Sequence, residues 1–279
     1  MKLLRRARFE KRRAEKRLRR WHRRARGDPG VAVSLDMGHD SRTLLLTFGG
    51  MKSLAGLASF EFVNLTAELP VKRMFVRDPR QSWYHRGMPR HGTTLASVVD
   101  AVGELLADHE LERLVLAGNS AGGYAALVFG TLLGADAVVC LSPQTVIDTE
   151  ILAQMGDHRW DYLLEPLVRK GALEPRWTDL RRALPQARHA NTRYNIYFDE
   201  TIEGDRLHAE RLRDLEGVHL YRFGRGGHGL ARALRDCGAL ELILRNALAL
   251  APGESAQGAS AAAQRQATER DALRFRTYR

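Results

Sequence analysis

The sequence predicts an α/β domain: a mostly parallel sheet with helices on both faces, a helical cap insertion, and a basic N-terminal arm. Three observations carry this. Strand-like runs alternate with helix-length runs over residues 31–141 and again over 192–250, the pattern of a parallel sheet whose crossovers are helices. Between these stretches, residues 142–190 hold no strand-like run and many charges. Ahead of them, residues 1–26 hold fourteen Lys or Arg against only Glu10 and Glu15, with no glycine or proline.

The arm places Leu4, Ala7, Ala14, Leu18 and Trp21 at helical spacings of three and four, and Gly27-Asp28-Pro29-Gly30 ends it. Strands are expected at 31–35, 43–48, 60–65 and 74–76, from short apolar runs bounded by turn residues. Residues 93–106 form an amphipathic helix with a threonine available as its N-cap. A strand at 114–117, a small-residue helix at 121–133 and a strand at 137–141 follow. The strandless segment 142–190 stands where a helical cap would be inserted, and it carries His158, Trp160, Tyr162 and Trp177. Alternation resumes with a strand at 194–198, a helix at 207–215, a strand at 218–223 and a long terminal helix at 230–249. The last stretch, 251–279, is rich in Ala, Gln, Gly and Ser and reads as a low-complexity tail. The expected division is therefore an arm and linker at 1–30, a domain at 31–250 and a tail.

A chain of 279 residues, 44% of them hydrophobic, is long enough to bury the core of one large domain. No stretch approaches about eighteen consecutive apolar residues, so no transmembrane segment is expected, and the start lacks the apolar core of a secretory signal. Two cysteines, Cys140 and Cys237, offer neither a disulfide framework nor a metal cluster, and a cytoplasmic location is expected. The net charge of +11 belongs to the arm, which has a net of +12. The remaining chain holds 30 basic and 31 acidic residues, a net of −1. Nucleic acid or an anionic surface as a partner therefore concerns residues 1–26 alone, with a solvated extension as the plain alternative.

The chemistry is concentrated at Gly118-Asn119-Ser120-Ala121-Gly122. Glycines two residues either side of a serine allow a strand and a helix to approach closely around a sharp turn that exposes the hydroxyl. A serine needs a base, and the base needs a third group to orient it. His228, in Gly226-Gly227-His228-Gly229 after the strand at 218–223, lies where a loop crosses the carboxyl ends of a sheet. Asp205 and Asp199 are both candidates for the acid. Asp205 is favoured by its place within the loop, although an aspartate there also suits a helix N-cap. Oxyanion donors are expected from the amide of Ala121 and from Gly50 or Met51, at the end of the strand that closes in Phe48-Gly49-Gly50.

On Phe48-Gly49-Gly50, Gly118–Gly122, Asp205 and Gly227-His228-Gly229, the chain resembles the α/β-hydrolase superfamily of serine esterases, lipases, peptidases and acyltransferases. The resemblance covers about residues 31–250. It implies a Ser–Asp–His triad, an oxyanion hole, no metal and no organic cofactor. Two departures stand out: the acid loop lacks a Gly-x-x-Asp shape, and the oxyanion strand ends in Phe-Gly-Gly rather than His-Gly. Trp83 and Tyr84 are candidate substrate-binding residues that suit a sugar or aryl group, with Arg77, Arg80 and Arg86 nearby for an anion. The segment Ser142-Pro143-Gln144-Thr145 is a second candidate rim loop. The expected function is a serine hydrolase acting on a small-molecule or glycan-linked acyl ester. The alternatives are an acyltransferase using the same triad, or a catalytically inactive binding protein whose arm docks on RNA or an anionic surface.

Overall fold

Strands whose neighbours are apolar on both faces form the middle of the sheet. In order, the strands are β1 (Val33–Asp36), β2 (Thr43–Phe48), β3 (Lys72–Val76), β4 (Arg113–Asn119), β5 (Ala137–Leu141), β6 (Arg193–Asp199), β7 (Val218–Phe223) and the two-residue β8 (Arg276–Thr277). The structure, a computed structural model, describes residues 28, 30–51, 60–187, 191–250 and 276–277. The basic arm at 1–26, and the tail apart from Arg276–Thr277, lie outside the described residues. The sheet runs β1-β3-β2-β4-β5-β6-β7-β8. The pairings from β3 through β7 are parallel, and β1 and β8 pair antiparallel at the two edges.

Side chains alternate between two cores, as the period of a strand requires. On one face Leu44, Leu46 and Phe48 of β2, with Val138 and Cys140 of β5, meet α1 (Leu95–Ala107) and α2 (Ala121–Leu132). On the other face Leu45, Val139 and Leu141 meet α7 (Leu230–Asp236) and α8 (Ala239–Ala247). Burial on both faces is the reason these strands read as continuous apolar runs. Helix α1 starts on Thr94, whose hydroxyl accepts from Ser97 N at 3.1 Å while Ser97 Oγ accepts from Thr94 N at 3.0 Å. This reciprocal cap satisfies two amides that the helix leaves open.

The insertion between β5 and β6 is helical, with α3 (Thr149–Gln154), α4 (Asp161–Arg169), a 3₁₀ turn at Pro175–Trp177 and α5 (Leu180–Ala187). After β6 comes α6 (Glu203–Glu210). Strand β2 has β3 on one side and β4 on the other, so the direction of sheet growth reverses there. Connections diverge at such a point and leave a crevice at the carboxyl ends of the strands. Gly49 and Gly50 follow β2, and Ser120 follows β4, on the two sides of it.

Three expected elements differ. Residues 60–65 form turns rather than a strand. Phe62 has φ +65°, which no strand accommodates, and Phe62 and Leu65 pack instead against the second core. The helix expected at 207–215 begins at Glu203 and ends at Glu210. Its N-cap, Ile202, makes no side-chain cap bond, so no capping signal marks the start; Glu203 and Asp205 sit in the first turn, where the helix dipole favours negative charge. The single helix expected at 230–249 is two, parted at Gly238 with φ +78°. That break lets Leu240, Leu244 and Leu248 turn onto the same core as Leu230 and Leu234.

Candidate active site

Strand β4 ends in a turn that only glycine permits. A Cβ at Gly118 would collide with the Gly122 carbonyl, and one at Gly122 would collide with the Phe48 carbonyl. The chain can therefore fold back tightly on both sides of Ser120, which has φ +54° and ψ −119°. A serine in that region is strained, and its backbone is held by Ser120 N donating to Leu141 O at 2.9 Å. The first amides of α2, which follow it, have no carbonyl within the helix to pair with.

The loop after β7 brings His228 to this turn. Its Nε2 stands 3.0 Å from Ser120 Oγ, and its Nδ1 stands 2.9 Å from both carboxylate oxygens of Asp205. Asp205 is about 1% exposed and Ser120 about 5%. The structure thus brings Ser120, His228 and Asp205 together, and it places the other candidate acid elsewhere. Asp199 accepts from Gly227 N at 2.6 Å, from Thr201 N at 2.9 Å and from Thr201 Oγ1 at 2.7 Å. It braces the loop that carries the imidazole. An imidazole bonded to a carboxylate at one nitrogen and a hydroxyl at the other can take the hydroxyl proton while the carboxylate steadies the resulting cation.

Behind Asp205 lies a network of long-range side-chain contacts. Arg159, just ahead of α4, donates through Nη1 to Asp205 Oδ1 at 2.8 Å. Its Nε and Nη2 fork onto Asp157 at 2.8 and 2.7 Å. Asp157 is also 3.1 Å from His208 Nε2. Thr145 N donates to His208 Nδ1 at 3.0 Å, so that imidazole is neutral and carries its hydrogen on Nε2. Burial pushes the Asp205 carboxyl up, but the hydrogen bonds from His228 and Arg159 outweigh it and hold the group below its ordinary value. Asp157 is held low for the same reasons, by Arg159 and His208. No local motif announces these partners, which are 46 and 51 positions apart along the chain.

Ala121 follows Ser120 at the start of α2, and Gly50 lies against the same turn, where a Cβ would stand 3.0 Å from Asn119 O. Met51 continues from Gly50 and packs in part against the first core. A cleft of about 1110 Å³ opens beside the turn, between the 60–65 segment and α7. Phe60, Phe62, Asn119, Gly229 and Arg232 are among its walls. From the insertion, the Trp160 ring comes to 6.2 Å from the His228 ring. Among the described residues no group of three or more His, Cys, Asp or Glu is arranged to hold a metal.

Trp83 and Tyr84 do not form an exposed wall. Both are buried, Trp83 Nε1 donates to Gln144 Oε1 at 2.5 Å, and Tyr84 packs edge-on against Phe48 and Phe129. The cause is Asp78, whose carboxylate accepts from the amides of Arg80, Ser82 and Tyr84 at 2.9, 2.6 and 2.9 Å and coils the loop inward. Arg77 is buried as well and donates to the Val31 and Asp28 carbonyls. Arg80 donates to the Arg86 carbonyl. Ser142, Gln144 and Thr145 are likewise buried rather than on a rim.

Comparison with known proteins turns on the fold. No protein-family model matches the chain, and no curated protein matches it in sequence. Solved structures do match. A capsule O-acetyltransferase of Neisseria meningitidis serogroup A superposes with a TM-score of 0.57 at 11% identity, over 75% of this chain and 90% of that one. A fluorophosphonate-binding serine hydrolase of Staphylococcus aureus superposes with a TM-score of 0.51 at 17% identity, over 76% and 86%. The fold is the α/β-hydrolase fold. A chain of the Glycosylation Associate Protein complex of Streptococcus agalactiae is also similar, with a TM-score of 0.57 at 20% identity over 77% of this chain. The match spans 44% of that longer chain. Among the described residues of this α/β-hydrolase fold, no helix is long and apolar enough to cross a membrane.

Proposed function

We propose that the protein is a serine hydrolase or acyltransferase working through an acyl-Ser120 intermediate. The observation that carries this reading is the bond chain from Ser120 Oγ through the His228 ring to the Asp205 carboxylate, mounted on a strained turn. His228 Nε2 takes the hydroxyl proton as Ser120 Oγ attacks an acyl carbonyl. The Asp205 carboxylate keeps the proton of Nδ1 and stabilises the imidazolium. The developing oxyanion is held by the Ala121 amide and by Gly50 or Met51. Collapse returns the proton from Nε2 to the leaving alkoxide, and water, activated by the same imidazole, releases the acid. The cleft beside Asn119 and Gly229 is the space for the acyl group or its alcohol.

A second reading, acyl transfer to a hydroxyl, uses the same steps with an alcohol in place of water. It is supported by the O-acetyltransferase, which the fold matches over 90% of that chain and which also has a structure in complex with CoA. A fluorophosphonate probe tests the shared step: it should label the intact protein, fail on Ser120→Ala and weaken on His228→Ala. Absence of label on folded protein overturns both readings. Acetyl donors, p-nitrophenyl acetate or acetyl-CoA, offered with and without a sugar acceptor, separate them. An acetylated sugar identified by mass spectrometry supports transfer, and free acetate alone supports hydrolysis.

A further inference from the structure

We infer that Arg159 is a positioning residue that clamps the Asp205 carboxylate to the helical insertion, so that the acid and the imidazole it serves are set only while the insertion is docked. This rests on the reading of Ser120, His228 and Asp205 as the reacting set, and Arg159 itself touches none of the atoms that change bonds.

Three observations carry the inference. The guanidinium is held from its own side by two parallel bonds to Asp157 and by Arg159 N on Asp157 Oδ1 at 3.2 Å, and it then reaches across to Asp205 on α6. A forked pair fixes direction as well as charge, which a single ammonium contact would not do. Second, α6 has a gap made for it. A Cβ at Gly204 would stand 2.5 Å from Arg159 Nη2 and 2.8 Å from its central carbon. Third, the anchor is itself anchored: His208 Nε2 donates to Asp157, and Thr145 N holds the other face of that ring. Trp160, the next residue, carries its ring to 6.2 Å from the His228 ring, so the clamp and the wall over the imidazole move as one piece.

Charge sets the direction of the effect. The groups facing His228 and its acid are Asp205 on α6, Arg159 and Asp157 on the insertion, and His208 on α6; Asp199 acts on the loop through Gly227 N. Arg159 is the cation between two buried carboxylates. With it in place, part of the Asp205 charge is shared with the guanidinium. Removing it turns the whole carboxylate charge onto the imidazole, favours the protonated ring, and moves the pH at which neutral His228 becomes available upward.

Arg159→Met makes the direct test, and Gly204→Ala makes the same test with the arginine retained, because the added methyl would stand 2.5 Å from Nη2 and force the guanidinium from its seat. NMR titration of the His228 imidazole, identified by its loss in His228→Gln, gives a readout that needs no turnover. In both variants the midpoint should rise by about half to one pH unit, and the acid limb of the rate should move with it. At the plateau, kcat should fall about tenfold with KM little changed, as for a group acting on the transition state alone. Arg159→Lys should keep the midpoint and recover part of kcat. Midpoints that stay put in both variants overturn the clamp, even if rates fall, since a purely structural loss lowers the rate at every pH equally. A fluorophosphonate-inert protein whose His228 midpoint still rises in the variants would overturn the catalytic reading and leave the clamp standing.

Discussion

Two loops at the carboxyl edge of the sheet carry histidines that look alike and are opposites. His85, in the loop after β3, and His228, in the loop after β7, each present Nε2 to a hydroxyl, at 2.8 Å from Tyr124 OH and 3.0 Å from Ser120 Oγ. The difference lies at Nδ1. At His85 it accepts the amide hydrogen of Glu174 at 2.8 Å; at His228 it faces the Asp205 carboxylate at 2.9 Å. An amide donor forces the hydrogen of His85 onto Nε2, where it is given to the Tyr124 hydroxyl, which in turn donates to Trp177 O. A carboxylate holds the hydrogen of His228 on Nδ1 and leaves Nε2 open to accept one. Burial completes the contrast: His85 is about 3% exposed and its imidazole is pushed down to about 4, whereas the His228 side chain is about 36% exposed. One ring is a staple between the loop, α2 and the insertion; the other stands between a hydroxyl and a carboxylate.

Substitutions break the comparison in order of size. His228→Gln should cut kcat by about four to six powers of ten, with the melting temperature nearly unchanged, since this loop is braced by Asp199 rather than by the ring. Asp205→Asn should lower kcat by about ten-thousand-fold, because an amide hydrogen at Nδ1 reverses the tautomer and makes His228 resemble His85. Rates on an activated ester check both, and a variant within tenfold of the unsubstituted protein would count against the role.

His85 should show its effect in stability. Its folded value lies below the ordinary 6.5, so the unfolded chain binds the extra proton first. Stability should be complete above about pH 6.5 and fall by roughly 3 kcal/mol as the pH drops to about 4. His85→Leu should remove this slope and cost about 1–3 kcal/mol at neutral pH, from the stranded Glu174 amide, while turnover is retained. Denaturant melts across that pH range measure both. The smallest effect belongs to Asp199→Asn, for which a loss of about tenfold in kcat is expected from a loosened Gly227–His228 loop; a loss as large as that of Asp205→Asn would mean that the acid had been assigned to the wrong carboxylate.

Much of the site was legible because its signals are local. Gly118, Gly122 and Ser120 lie within five positions, and the steric demand on them is met inside that window. His228 was legible because glycines flank it after a strand. What escaped is carried by long-range contacts. Arg159 reads as one more charge in a charge-rich segment until Gly204 and Asp205 are seen beside it. Trp83 and Tyr84 read as exposed aromatics until the three amide bonds to Asp78 turn them inward. Residues 60–65 have strand composition, yet Phe62 turns to φ +65° and packs with Leu65 against the second core.

The sequence by itself determined the alternation of strands and helices, the tight glycine-flanked serine turn and the chemical kinds available to it, since these follow from periodicity and from what glycine allows. The tertiary structure alone decided which aspartate meets which imidazole nitrogen. Asp199 and Asp205 are six residues apart and chemically the same. One ends a strand and receives the Gly227 amide; the other sits in the first turn of a helix and receives a ring nitrogen. Direction, not composition, separates their roles, and direction is set only when β6, α6 and the His228 loop have packed.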